Sequence, residues 1–380
     1  MGDELAAKIS DVTVAVTGLV YSGQSTWNTE NGGNWGTITG TGQNAFGLNW
    51  GDNQGSPGLD PSYTNTDTAT FGSALTSGTA VVNTNGANIS LKAITFDEDV
   101  GHYAIYQTNG SSFISLVGSG TSASAINVVA GRHAMHADVT MNSSMGVDIG
   151  AGSSLTFYNP ISGGSSYSLT KTGAGTLYMN AFNSYSGNTV VNSGTLSGTG
   201  SVSGHVAVHN GGTLTAGSES AAYGVFTADS LSLDTGATAS LSIGGTSAVT
   251  YDQIVTAGVI DFGNGNLTIN FDNGGFGNSD VWQLFSGLSF TGNFAHVTAI
   301  GSYGALTFNW QGDGSGEWKA TGGSLAAGQS MSFYVNNSSA FAGKFTAGQL
   351  VIVPEPSTWV LACLGAAAVG LKARRRSRAA

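Results

Sequence analysis

The sequence predicts an all-β fold of the solenoid class, in which short strands stack coil upon coil, and three observations lead to it. Glycine supplies 59 of 380 residues, while Lys, Arg, Asp and Glu together make up only 9%. A chain so composed builds turns and strands rather than helices. Apolar residues nevertheless reach 40% and fall in short alternating runs, which is enough side chain for a core and argues against low-complexity disorder. Finally, Gly-Thr-Leu recurs at Gly175-Thr176-Leu177, Gly194-Thr195-Leu196 and Gly212-Thr213-Leu214, with a looser copy at Gly152-Ser153-Ser154-Leu155. The leucine spacings are 22, 19 and 18 residues, and a period near 20 residues is that of a solenoid adding one coil per repeat.

Residues 1–24 are set apart as an N-terminal segment. Met1-Gly2-Asp3-Glu4 lacks the basic n-region of an export signal, and Val12 to Val20 is a weak apolar run, so the segment reads as a truncated or atypical signal. Residues 25–275 are the solenoid body. In Thr189-Val190-Val191-Asn192 and in Ser203-Gly204-His205-Val206-Ala207-Val208-His209, small polar residues interleave with aliphatics, as a half-buried strand requires. Asn210-Gly211-Gly212 then supplies a corner with positive φ.

Residues 276–350 are less periodic and richer in aromatics, with Phe276, Trp282, Phe285, Phe290, Phe294, Trp310, Trp318, Phe333 and Tyr334. The last coil of a solenoid exposes apolar surface that needs cover, so this region is expected to hold terminal coils and a cap; an aromatic sugar-binding surface is the alternative.

The end of the chain has a different character. Val353-Pro354-Glu355-Pro356-Ser357 precedes an apolar run from Thr358 to Leu371, and Lys372, Arg374, Arg375, Arg376 and Arg378 follow. Two prolines stop a helix from extending upstream and Ser357 can cap one that starts after them. The basic cluster is the kind retained on the cytoplasmic side of a membrane. Thr358 to Leu371 is 14 residues, short of the roughly 20 that span hydrocarbon comfortably, so a transient sorting helix fits better than a permanent anchor. Cys363, the single cysteine, lies in this run as a small hydrophobe and excludes an intramolecular disulfide or a cysteine-based zinc site.

Chemistry-bearing residues are sparse. Residues 1–353 hold 6 basic and 21 acidic side chains, no footprint for a phosphate backbone, so nucleic acid is not an expected partner. Asp97-Glu98-Asp99 and Asp313-Gly314-Ser315-Gly316-Glu317 match no calcium loop and read as solvated turns. His205 and His209 share a strand face but lie roughly 13 Å apart at about 3.3 Å per residue, too far to share a metal. His133 and His136 read as surface histidines. Arg132 is the body's only arginine, with no acid near it in sequence until Asp138. No catalytic residue, metal site or cofactor is expected.

Two stretches carry resemblances. Leu169-Thr170-Lys171-Thr172-Gly173-Ala174-Gly175-Thr176-Leu177, continuing through Asn183-Ser184-Tyr185-Ser186-Gly187-Asn188 to Leu196, resembles the autotransporter-associated β-strand repeat, whose passengers form right-handed parallel β-helices. Trp27, Asn34-Trp35, Asp67-Thr68-Ala69-Thr70-Phe71 and Ile94-Thr95-Phe96 resemble opening coils of such proteins; Tyr251-Asp252-Gln253-Ile254, Val259-Ile260-Asp261-Phe262 and Leu267-Thr268-Ile269-Asn270-Phe271 resemble closing ones. The tail, residues 353–380, resembles the PEP-CTERM sorting domain, and the sorting tail stands where those passengers carry a translocator barrel, which speaks against self-transport.

The tail resemblance implies recognition of Pro354, Glu355 and Pro356 by an exosortase, a transient inner-membrane stage, removal of the tail and delivery to the envelope, cell surface or extracellular matrix. Together these readings predict a structural or adhesin-like protein of envelope, matrix or biofilm, with exopolysaccharide as its expected partner. A carbohydrate-binding module, marked by a clustered aromatic groove, and a β-helix polysaccharide-degrading enzyme, marked by juxtaposed carboxylates, are the alternatives.

Overall fold

The computed structural model describes residues 24–36, 49–51, 56–59 and 66–354, except 109, 111, 119–121, 327 and 337–344. The segment before residue 24 and the tail beyond Pro354 lie outside the described residues, and with them the export-signal reading, Cys363, the Thr358 to Leu371 helix and the basic cluster. Among the described residues there is no α-helix; Ala248–Thr250 form a single 3₁₀ turn.

The body is a parallel β-solenoid with three faces. One sheet of eleven strands runs from Gln24–Trp27 to Ser289–Thr291, and a second of twelve runs from Gly33–Asn34 to Leu306–Thr307. The third face is shared by two shorter sheets, of four strands in the early coils and five in the later ones. Each coil visits the faces in turn: Met145–Ile149, Ser154–Phe157 and Ile161–Gly163 make one, and Leu169–Thr172, Thr176–Met179 and Phe182–Asn183 the next. At about 4.8 Å per strand, eleven stacked strands span roughly 50 Å.

The repeat spotted in sequence is a ladder in space. Leu155 pairs with Leu177, Leu177 with Leu196, and Leu196 with Leu214, and all four are fully buried. Unequal spacing is absorbed at the corners, so the leucines stay in register although the coils differ in length. A second ladder runs Ile94, Ile126, Val147, Lys171, Val191, Val208; burying each aliphatic rung contributes about 1.5–3 kcal/mol. At Gly194 the backbone takes φ +68° and a Cβ would lie 2.3 Å from the Gly173 carbonyl oxygen. Only glycine lets successive corners stack this closely.

Both ends of the stack are closed by aromatic rings. Trp27, Trp35, Trp50 and Phe71 pack edge-on and tilted at 4.9–5.9 Å in the first coils. At the far end the parallel strands continue past residue 275 to His296–Gly301, and an antiparallel sheet of five strands then takes over, ordered Val281–Gln283, Gln349–Pro354, Gln329–Tyr334, Glu317–Thr321 and Asn309–Trp310. Phe333 of this sheet meets Phe262, Phe285 and Phe294 of the last coils at 5.8–6.5 Å. The region's aromatics thus mainly pack inward, whereas Trp310 is exposed.

Candidate groove and sorting strand

One outer face of the twelve-stranded sheet carries an aromatic ladder and a set of polar hollows. Tyr106, His136 and Tyr158 stand one above another on successive coils, with ring centroids 4.1 and 4.4 Å apart and planes 5° and 10° from parallel. Parallel in-register strands impose this arrangement, because His136 pairs directly with Tyr106. Each inner face of the stack is covered by a neighbouring ring, so solvent meets ring edges and hydroxyls rather than a flat platform. Burial lowers the His136 pKa and raises that of the Tyr158 phenol, which keeps both neutral at neutral pH.

Beside this ladder lie three adjoining hollows of about 260, 340 and 340 Å³, all lined by Arg132. Ser153, Ser154, Thr176 and Tyr178 line the first, and His102, Tyr106, His136 and Tyr158 the second. Glu219 reaches in from a later coil, accepting hydrogen bonds from the Ser154 hydroxyl at 2.7 Å and the Thr156 hydroxyl at 3.3 Å. Among the described residues the His209 ring meets the Asp234 carboxylate, a contact that is ionic only when the ring is protonated, and no carboxylate lies within ion-pair distance of Arg132. Arg132 therefore has two carboxylates in its hollows, Glu219 and Asp99, but neither in ion-pair contact, and its side chain is exposed.

Glu98 is not part of a solvated turn: it is 1% exposed, and its carboxylate accepts from the backbone N–H groups of Leu75, Val100 and Gly101 at 2.8–3.3 Å. It braces the corner between two coils, while Asp97 and Asp99 do face solvent. His133 is not a surface residue. Its ring stacks on Phe96 at 4.6 Å, Nδ1 accepts from the Tyr103 N–H, and Nε2 donates to the Ala130 carbonyl. Burial pushes its pKa down to about 4, so the ring is neutral with the proton on Nε2 and no nitrogen left for a metal.

His205 and His209 do have separate partners, the hydroxyls of Ser230 and Ser232 for one and Asp234 for the other. Asp313 accepts from the Ser315 N–H in the turn expected there. Among the described residues no group of three potential metal ligands converges.

Lys171 and Asp252 are among the buried ionisable groups that escaped the sequence reading. Lys171 occupies an interior rung between Val147 and Val191, and its ammonium donates to the carbonyls of Thr172, Gly173 and Ser193 at 2.6, 2.8 and 3.2 Å. It ties one corner to the next, and burial pushes its pKa down to about 8. The signal was parity: Lys171 shares the inward phase of Leu169. Asp252 is 1% exposed and accepts from the N–H groups of Gly224 and Ser242 at 3.1 and 2.9 Å. Burial, with Asp272 nearby, pushes it up to about 7, and the Tyr223 hydroxyl donates to Asp272 at 2.7 Å. These carboxylates line none of the three hollows.

Of the sorting motif, Pro354 ends the strand Gln349–Pro354, opposite Gln329; Glu355 and Pro356 lie outside the described residues. Proline at this point has no N–H with which to extend the ladder.

Comparison with protein families gives two matches. The passenger-associated-transport-repeat family matches residues 169–197, and the PEP-CTERM protein-sorting motif matches residues 353–376. No curated protein and no solved structure matches the chain. The chain therefore carries an autotransporter-like passenger repeat and an exosortase sorting signal, and the signal marks an exported protein that is processed at the membrane before reaching the cell surface.

Proposed function

We propose that the solenoid is a structural and adhesive element of the cell envelope or its surrounding matrix, holding polysaccharide along the face that carries Arg132. The reading is supported chiefly by the groove itself: an exposed arginine without an ion pair among the described residues, shared by three hollows and flanked by hydroxyls and aromatic edges. A guanidinium so placed suits the carboxylate of an acidic sugar, which it can engage with two parallel hydrogen bonds. The Ser, Thr and Tyr hydroxyls around it suit sugar hydroxyls. A rigid stack roughly 50 Å long offers such contacts at fixed spacing, and weak contacts on a polymer add through effective concentration.

We further propose that the protein is not an enzyme. In support, Asp252, the carboxylate most displaced from its ordinary range, is buried and committed to two backbone N–H groups, and glycoside hydrolysis needs a pair of carboxyls facing a substrate cleft.

Affinity electrophoresis of the purified full-length protein through gels containing either a uronic-acid polysaccharide or a neutral glucan tests the reading. Retardation is expected in the acidic gel, weakening with added salt and falling at least fivefold in Arg132→Ala. Equal migration in all gels, or retardation unchanged by Arg132→Ala, contradicts the assignment of this face.

A further inference from the structure

The sorting signal and the folded end of the solenoid overlap. The sorting match begins at Val353, yet Val353 and Pro354 are the last two residues of a strand that has partners on both edges over Gln349, Leu350 and Val351 and keeps one partner strand at Val353 and Pro354. On one side Val281, Trp282 and Gln283 face Val351, Leu350 and Gln349; on the other Gln329, Ser330 and Met331 face Pro354, Val353 and Ile352. Leu350, Val351 and Ile352 are fully buried within this sheet. The strand is thus an inner member of the end sheet and contributes directly to closing the stack.

Chain geometry makes that overlap consequential. From Pro354 to Thr358, where the apolar run begins, there are four residues, which span at most about 14 Å when fully extended. A membrane-embedded enzyme must grip Pro354-Glu355-Pro356 within that length. With the end sheet closed, Pro354 of the motif is already paired with Gln329. The same strand docks last in synthesis, because its partner Val281–Gln283 precedes it by about seventy residues.

We propose that closure of the end sheet and processing of the tail compete for the segment around Val353 and Pro354. The tail is processed while this strand is undocked or frayed, and a docked strand holds the motif back. This rests on the sorting role of the tail. The chemical step is ordinary peptide-bond scission: one C–N bond of the tail breaks, the acyl carbon passes to water or an acceptor amine, and the departing amine takes the proton. The consequence is an order of events, with membrane engagement first, scission next and closure of the aromatic end last.

Pulse-chase labelling in an exosortase-bearing host tests this with three full-length chains. The first is unaltered. The second carries twelve Gly/Ser residues between Ile352 and Val353, which frees the motif from the sheet. The third is Ser332→Cys with Val351→Cys, a facing pair that locks the strand in the oxidising periplasm and is released by reductant. Scission is expected at least threefold faster with the insertion, and at least fivefold slower in the locked chain than in the same chain under reductant.

Equal rates for the unaltered and inserted chains overturn the proposal, whether or not the cysteine pair folds. A control fusion places residues 353–380 behind a flexible linker on an unrelated exported domain. If that fusion is cut while the three chains show equal rates, the sorting reading stands and the competition fails; if the fusion is never cut, both fall.

Discussion

The parallel stack and the antiparallel end sheet solve the same problem of burying apolar strands by opposite means. In the stack each strand pairs with its counterpart one coil on, as Lys171 does with Val191 or Val191 with Val208, so one local rule is repeated and a rung depends mainly on its two neighbours. In the end sheet Val281 pairs with Val351 and Trp282 with Leu350, so a strand from the last coils waits for the end of the chain. The stack is additive and tolerant; the end sheet closes once, at long range, and its loss uncovers Phe262, Phe285 and Phe294 together.

The sharpest way to break this contrast is by deletion. Removing residues 177–195 excises one coil and rejoins Thr176 to Leu196, at the rung where Leu177 stood. The product is expected to stay monomeric with an unchanged β-type circular dichroism spectrum. Removing residues 309–352 is expected to give aggregates on size-exclusion chromatography, because an apolar end is left bare. A coil deletion as damaging as the end-sheet deletion would contradict the repeated local rule.

Single rungs come next. Leu196→Ala, between Leu177 and Leu214, is expected to lower unfolding stability by about 2–5 kcal/mol in urea titration. Lys171→Met leaves three carbonyls without their donor and is expected to be milder, about 1–3 kcal/mol.

Lys171 also gives a pH signature. Its pKa is near 10.5 when unfolded and about 8 when folded, so between those values the unfolded chain binds more protons and stability rises with pH. Below pH 8 both states are protonated and the contribution is flat. The Lys171→Met chain should lack the rise.

Asp252 gives a pH signature of opposite sign, because its folded pKa of about 7 lies above the ordinary 3.8. Here the folded state binds the extra proton. Its stabilisation is full below pH 3.8 and is lost as pH rises through 7, so Asp252→Asn should flatten the melting curve series over that range relative to the unaltered chain.

The two regions also differ in how far sequence alone reveals them. The leucine period fixed the stack because parallel in-register pairing copies sequence spacing into space, and the corner glycines marked where each coil turns. Inward or outward phase restarts after every corner, however. Glu98 and His133 therefore looked like surface residues although both point into the corner between coils. Lys171 was hidden by its type, since a lysine on an interior rung is legible only once its parity with Leu169 is followed.

The groove was out of reach for a different reason. Glu219 meets Ser154 from 65 residues away, and Arg132 acquires its neighbours only by stacking. For the end sheet, the aromatic content signalled a cap, while the antiparallel order and the pairing of Val353 and Pro354 depend on contacts no local pattern encodes.

The most direct test of a sorted passenger is intact-mass measurement of the protein recovered from the cell surface of hosts with and without an exosortase, using the unaltered chain and one with Pro354, Glu355 and Pro356 changed to alanine. The expected result is a C-terminally shortened surface product only from the unaltered chain in the exosortase host. Full-length protein retained in the inner membrane or cytoplasm in all four cases would contradict it.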